Sequence, residues 1–265
     1  MRVIEASYYT DPACPWSWAL EPSLRRLQVE LGEGVAIRPV MGGRWPRFED
    51  PQAQVAEWLD ACDRSGMPFD PRLWLQAPPS GSHPACLAVI AAGEQGDAPQ
   101  AAYLRRVREG LMCGRRKLDG IEALVAEAHA VPGLDAARLR RDLGSSATVE
   151  RFGEDLERTR AIGGAEALPA IVFHGADGED RAVGGYVPYD AWRAAALAAG
   201  AQPLDAAPPT IEQALRRFGT LATAEVAAAC GLPGPRARAE LWQLALEWKV
   251  VAERRFTSAL WRLAA

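Results

Sequence analysis

Several of the groups that usually announce chemistry or a destination are scarce in these 265 residues. There are three histidines, His83, His129 and His174, scattered singly. With no paired Cys/His cluster at zinc spacing, the pattern gives no metal site. The five cysteines (Cys14, Cys62, Cys86, Cys113 and Cys230) are odd in number and form no CxxC. This argues against a structural disulfide framework and predicts a reducing, cytoplasmic setting. No uninterrupted apolar run approaches the ~20 residues a bilayer requires, and Met1–Glu5 lacks the apolar core of a signal peptide, so neither a span nor a leader is expected. Charge of one sign is lacking too. Thirty Lys+Arg stand against 34 Asp+Glu for a net −4, which gives the whole chain no electrostatic reason to seek nucleic acid or a membrane. Lysine itself is nearly absent: Lys117 and Lys249 are the only two.

What is there describes a folded α/β protein. Hydrophobic residues make up 49% and charged residues 24%, which excludes disorder, collagen-like repeats and a disulfide mini-scaffold. At roughly 150 residues per domain, one large domain or two smaller ones are expected. Residues 2–9 alternate and are rich in β-formers, and a helical pattern then runs to Leu31, where Gly32 and Gly34 stop it. A second strand is expected at 35–41, making a βαβ unit with a cysteine at its first turn. Helices are predicted over 52–65, 84–95, 98–112, 118–130, 135–143 and 147–162, divided by Pro/Gly/Ser punctuation. Strands return at 169–174 and 180–184, followed by a helix over 188–199. A long helical excursion therefore interrupts a sheet that is completed afterwards. The expected division is an α/β frame from 1–48 and 165–200, an inserted helical domain at 49–164, and a Pro/Ala-rich linker at 201–209. Beyond it, helices at 210–218, 222–230 and 235–248 and β-like runs at 249–256 and 257–264 predict a winged-helix-like module over 210–265.

Cys14 ends the first strand-loop and opens a helix, with Pro15 suited to the first turn. A thiol there meets unpaired N–H groups and the positive end of the helix, which favour thiolate and predict a nucleophile at neutral pH. Ser17, three residues on, could donate its hydroxyl to the sulfur.

The run Tyr9-Thr10-Asp11-Pro12-Ala13-Cys14-Pro15-Trp16-Ser17-Trp18 resembles the active-site segment of the DsbA-type thioredoxin-fold oxidoreductases, in particular their cytosolic FrnE-like branch. The resemblance, which spans roughly residues 2–200, implies a thioredoxin-like fold with an inserted helical domain and a cis-proline opposite the cysteine, here Leu168-Pro169. It also implies that Leu168 offers its backbone to an extended substrate, with Pro15, Trp16 and Pro169 as further substrate contacts; Trp16 and Trp18 are candidates for the rim of the site. Ser17 stands where this family carries its second cysteine. The chemistry implied is then monothiol: Cys14 attacks a disulfide and an external thiol, such as glutathione, releases it. Cys86, at the start of an inserted helix, is a candidate resolving thiol, whereas Cys62, Cys113 and Cys230 read as packing residues.

Two other functions fit the same frame. The kappa-class glutathione transferases and the 2-hydroxychromene-2-carboxylate isomerases are similar to it but start the first helix with serine and use glutathione. Adaptors of this branch, which deliver a protein partner to a cytosolic protease, are similar to it without being enzymes, and a C-terminal module suits that role. That module carries eight basic against six acidic residues over 205–265, so protein contact or self-association is expected of it rather than duplex binding. Its last helix is apolar enough, through Leu241, Trp242, Leu244, Leu246 and Trp248, to be expected mostly packed.

Overall fold

The alternation of residues 4–10 is realised as a central strand, β1 (Ile4–Thr10), almost wholly buried because both of its edges and both faces are covered. In the computed structural model, which describes residues 3–256 and 258–264, β2 (Val35–Met41) pairs parallel to it, from Ile4 opposite Val35 to Thr10 opposite Met41. β3 (Ala170–His174) runs antiparallel on its other side, and β4 (Asp180–Gly184) closes the order β2-β1-β3-β4. Met1, Arg2, Thr257 and Ala265 lie outside the described residues, so Arg2 of the expected 2–9 strand and Thr257 of the expected 257–264 run are not placed.

The helix expected to run unbroken to Leu31 is two: α1 (Pro15–Ala19) and α2 (Glu21–Leu31). Pro22 has no N–H to continue the first helix, so it is tolerated only in the first turn of a new one. The helical excursion follows β2 as α3 (Pro51–Ser65), α4 (Arg72–Gln76), α5 (His83–Gly93), α6 (Asp97–Met112), α7 (Ile121–Ala128), α8 (Ala136–Leu143) and α9 (Ser146–Ala161). Its boundaries are set by local chemistry. Asp50 caps α3 through Gln52 and Ala53 amides at 2.9 and 3.1 Å, and Gly66 ends it at φ 68°. Asp135 and Ser145 cap α8 and α9. α10 (Tyr189–Ala198) then packs on the sheet, burying Trp192 against Tyr8.

The C-terminal unit comprises α11 (Ile211–Phe218), β5 (Leu221–Ala222), α12 (Thr223–Ala229), α13 (Gly234–Leu246), β6 (Val250–Arg255) and β7 (Ser258–Leu263), its sheet ordered β5-β7-β6. In the stretch 201–209, expected as a linker, Leu204 N–H donates to the Glu30 carbonyl at 2.8 Å. One expectation changes here. α13 is not mostly packed: Ala237 and Leu241 point inward, while Trp242 and Leu246, one turn apart on the other face, are exposed, and Trp248 beyond the helix is 87% exposed. The apolar cluster of the insert, built around Trp58, Trp74 and Tyr103, also takes in Trp18 and Met41 of the frame and Ala222 and Leu260 of the C-terminal unit.

Candidate functional site

Cys14 is the N-cap of α1, in extended conformation and completely buried. A five-residue helix has little dipole to offer, and burial pushes the Cys14 thiol up despite the Arg44 guanidinium and hydrogen bonding from Ser17, which pull it down. That direction runs against the thiolate expected from a helix N-terminus, because desolvation outweighs the donors.

The donors themselves are well organised. Arg44 Nη1 lies 3.9 Å from the sulfur and 3.1 Å from Glu57 on α3, whose carboxylate also accepts Trp16 Nε1–H at 2.9 Å. Trp16 in turn packs on Tyr186 at 5.4 Å, with the Arg64 guanidinium 4.9 Å from its ring. Arg44, Glu57 and Tyr186 were not foreseen. They come from the loop after β2, from the insert and from the segment after β4, and only the fold brings them to the cysteine. The Gly42-Gly43 pair just before Arg44 was the available signal of a close approach: a Cβ on Gly42 would meet Leu168 Cδ1 at 2.4 Å. The Leu168–Pro169 peptide is cis, and Leu168 is buried.

Asp11, the residue immediately after β1, was also missed. Its fully buried carboxylate accepts from Ala13 N–H at 2.8 Å, Arg44 N–H at 2.8 Å and Ser82 Oγ–H at 2.6 Å, and the Cys86 thiol approaches it at 3.6 Å. Burial and that carboxylate push Cys86 well above the ordinary thiol range. His83 hydrogen-bonds the Gly43 carbonyl at 3.1 Å and packs edge-on to Phe152. Cys113 and Cys230 are buried packing residues.

Ser17 is fully buried and accepts from Thr10 Oγ1–H at 2.8 Å. Thr10 accepts from Arg108, and Arg108 donates to Glu21 at 2.6 Å. Glu21 also pairs with Arg25 at 2.7 Å and Arg105 at 3.2 Å, and both arginines reach Glu225 of the C-terminal unit, at 3.2 and 2.6 Å. Burial alone would raise the Glu21 carboxyl, but three guanidiniums outweigh it and hold it at about 2. A chain of polar contacts thus runs from beside Cys14 to the C-terminal unit.

One other constellation has triad-like distances. Ser7 Oγ lies 2.8 Å from His174 Nε2, and His174 Nδ1 lies 2.8 Å from Asp180. Ser7 sits mid-strand with a partner on each side, opposite Arg38 and Val172, so its amide belongs to the ladder and forms no oxyanion hole. Among the described residues no group of three or more His, Cys, Asp or Glu is arranged to hold a metal, and no helix is long and apolar enough to cross a membrane.

The sheet order, the cysteine at the first turn and the helical excursion between β2 and β3 agree with a family model described as Thioredoxin, which matches residues 8–193. The chain belongs to the thioredoxin family. Within it, this protein is similar to the ClpXP adapter protein SpxH of Shouchella clausii, at 30% identity over 95% of this chain and 85% of the relative. It is similar at 29% identity to the ClpXP adapter protein SpxH of Halalkalibacterium halodurans, over 94% and 85%. Among solved structures, the cytosolic disulfide reductase DsbM of Pseudomonas aeruginosa shares the fold, with a TM-score of 0.58 and 20% identity over 68% of this chain and 88% of its own. The likeness to the adapters covers too much of this chain to leave out residues 205–265.

Proposed function

We propose that this thioredoxin-family protein is an adaptor that presents a protein partner to a ClpXP-type protease, its redox site retained as structure. The observation that carries the reading is Cys14: wholly buried, pushed toward the protonated thiol, and without a second cysteine at Ser17. A thiol that is neither accessible nor ionised attacks disulfides slowly, and one without a resolving partner releases the mixed disulfide slowly. The likeness to SpxH adapters across the C-terminal unit supports the same reading and implies a cytoplasmic location.

A second reading, monothiol oxidoreduction through Cys14 with glutathione as co-substrate, is favoured by the Arg44 guanidinium 3.9 Å from the sulfur, which would stabilise a thiolate once the site opened. In it, Pro15, Trp16, Leu168 and Pro169 would bind substrate and Ser17 would hydrogen-bond the thiolate.

The two are separated in the native host. Proteins that accumulate when this chain is deleted should overlap those that accumulate when ClpX is deleted, and a Cys14→Ser copy should restore their levels. Insulin reduction by the purified wild type should stay at the background rate. Cys14-dependent insulin reduction, with no shared set of accumulated proteins, would reject the adaptor and favour the oxidoreductase.

A further inference from the structure

The C-terminal unit leaves a cavity of about 800 Å³ where it meets the frame, bounded by the start of α2, the end of α3, α12, α13 and the β6–β7 hairpin. That is a usual size for a ligand site. Its apolar side is built on buried Trp261, against which Trp242 stands edge-on at 5.0 Å while remaining 42% exposed. Arg26, Arg238 and Arg254 reach the cavity wall from α2, α13 and β6, and no described lining residue is acidic. Arg26 is stacked 4.2 Å from the Tyr189 ring. The acids nearest in sequence to the other two are taken elsewhere: Glu240 pairs with Arg236, and Glu253 with Arg255 and Arg262. Arg238 and Arg254 thus have no carboxylate partner among the described residues, in a chain whose net charge is −4.

We infer that this cavity binds an acidic segment of the protein partner, with a large apolar side chain on Trp242 and flanking carboxylates on Arg238 and Arg254. The inference deepens the adaptor reading and rests on it. Guanidinium groups suit carboxylates through paired, charge-assisted hydrogen bonds, and the half-exposed indole gives an apolar side chain a surface to cover. A nucleic-acid duplex is the poorer occupant, because the arginines line a recess beside apolar residues rather than a broad basic face.

The test uses the full chain and a fluorescein-labelled peptide, acetyl-Asp-Glu-Leu-Phe-Glu-Asp, followed by anisotropy. The peptide should bind and weaken as salt rises, while acetyl-Lys-Lys-Leu-Phe-Lys-Lys should not bind. Arg238→Glu with Arg254→Glu should lower affinity at least tenfold with unchanged melting, because both side chains are exposed, and Trp242→Ala should lower it too. Equal binding of both peptides, undiminished binding by the charge-reversed protein, or displacement of the peptide by a short DNA duplex would overturn the inference. Restored protein levels in the host without any acidic-peptide binding would overturn this site and leave the adaptor standing. Arginine-dependent peptide binding without the shared accumulated proteins would reject the adaptor and leave the cavity's preference for acidic peptides in place.

Discussion

Glu225 on α12 is the residue whose removal should most disturb the union of the C-terminal unit with the rest. Its side chain is fully buried and accepts from Arg105 Nη1 at 2.6 Å, Arg105 Nη2 at 2.9 Å, Arg25 Nε at 3.2 Å and the Ala222 amide at 2.8 Å. Glu225→Ala removes the acceptor and leaves two guanidiniums at 11–12% exposure short of a partner. Breaking a buried pair from one side costs about 3–5 kcal/mol, because the remaining charge keeps its desolvation cost. For a chain of this size that corresponds to a fall of roughly 6–20 °C in melting temperature. Glu240→Ala is the control: it breaks an exposed pair with Arg236 and should change stability by less than about 1 kcal/mol. The measurements are thermal unfolding by circular dichroism and the rate of proteolytic nicking within 201–209, which Glu225→Ala should accelerate. Equal melting temperatures for the two variants would refute the view that this network, rather than apolar contact alone, holds the unit in place.

Two further outcomes follow from the same geometry. Glu21 is held near 2 in the fold, below its unfolded value, so its stabilisation is present above about pH 5 and is lost as pH falls toward 2; Glu21→Gln should flatten the pH dependence of chemical-denaturant stability across that window. Gly42→Ala would place a Cβ 2.4 Å from Leu168 Cδ1, and should cost about 1–3 kcal/mol in denaturation, part of it recovered by Leu168→Ala; an additive double variant would show that the two do not touch.

The frame was legible because its signals are local. Alternation gave β1, Pro15 marked a helix start, and the excursion between the second and third strands showed in helical periodicity. The break at Leu20 was equally local, since Pro22 carries it, but the helical pattern continuing to Leu31 masked it. The state of Cys14 was not legible. Its placement at a helix start argues for thiolate, yet burial pushes the thiol the other way, and burial is a sum over residues far away in sequence. Glu57 and Arg44 were invisible for the same reason, each being an ordinary surface-type residue until the fold sets it beside Trp16 and the sulfur. α13 misled in the opposite direction, because its composition reads as core although only one of its apolar faces has anything to pack against.

The polar chain from Ser17 to Glu225 explains why a thioredoxin-type site without a second cysteine can persist. Position 17 carries a hydroxyl that accepts from Thr10, and Thr10 is fixed by Arg108, which is 1% exposed and ion-paired to Glu21. Glu21 shares Arg25 and Arg105 with Glu225, so the groups beside Cys14 and those anchoring the C-terminal unit are ordered by the same guanidiniums. Buried charges of this kind are costly to bring together and costly to separate, and they fix geometry more reliably than they add net stability. In a redox enzyme the residues around the reactive sulfur must admit a substrate disulfide and let it leave. Here they tie α1, α2, α6 and α12 into one arrangement, and in the adaptor proposed above the protein-binding surface would belong to what that arrangement supports rather than to the sulfur itself.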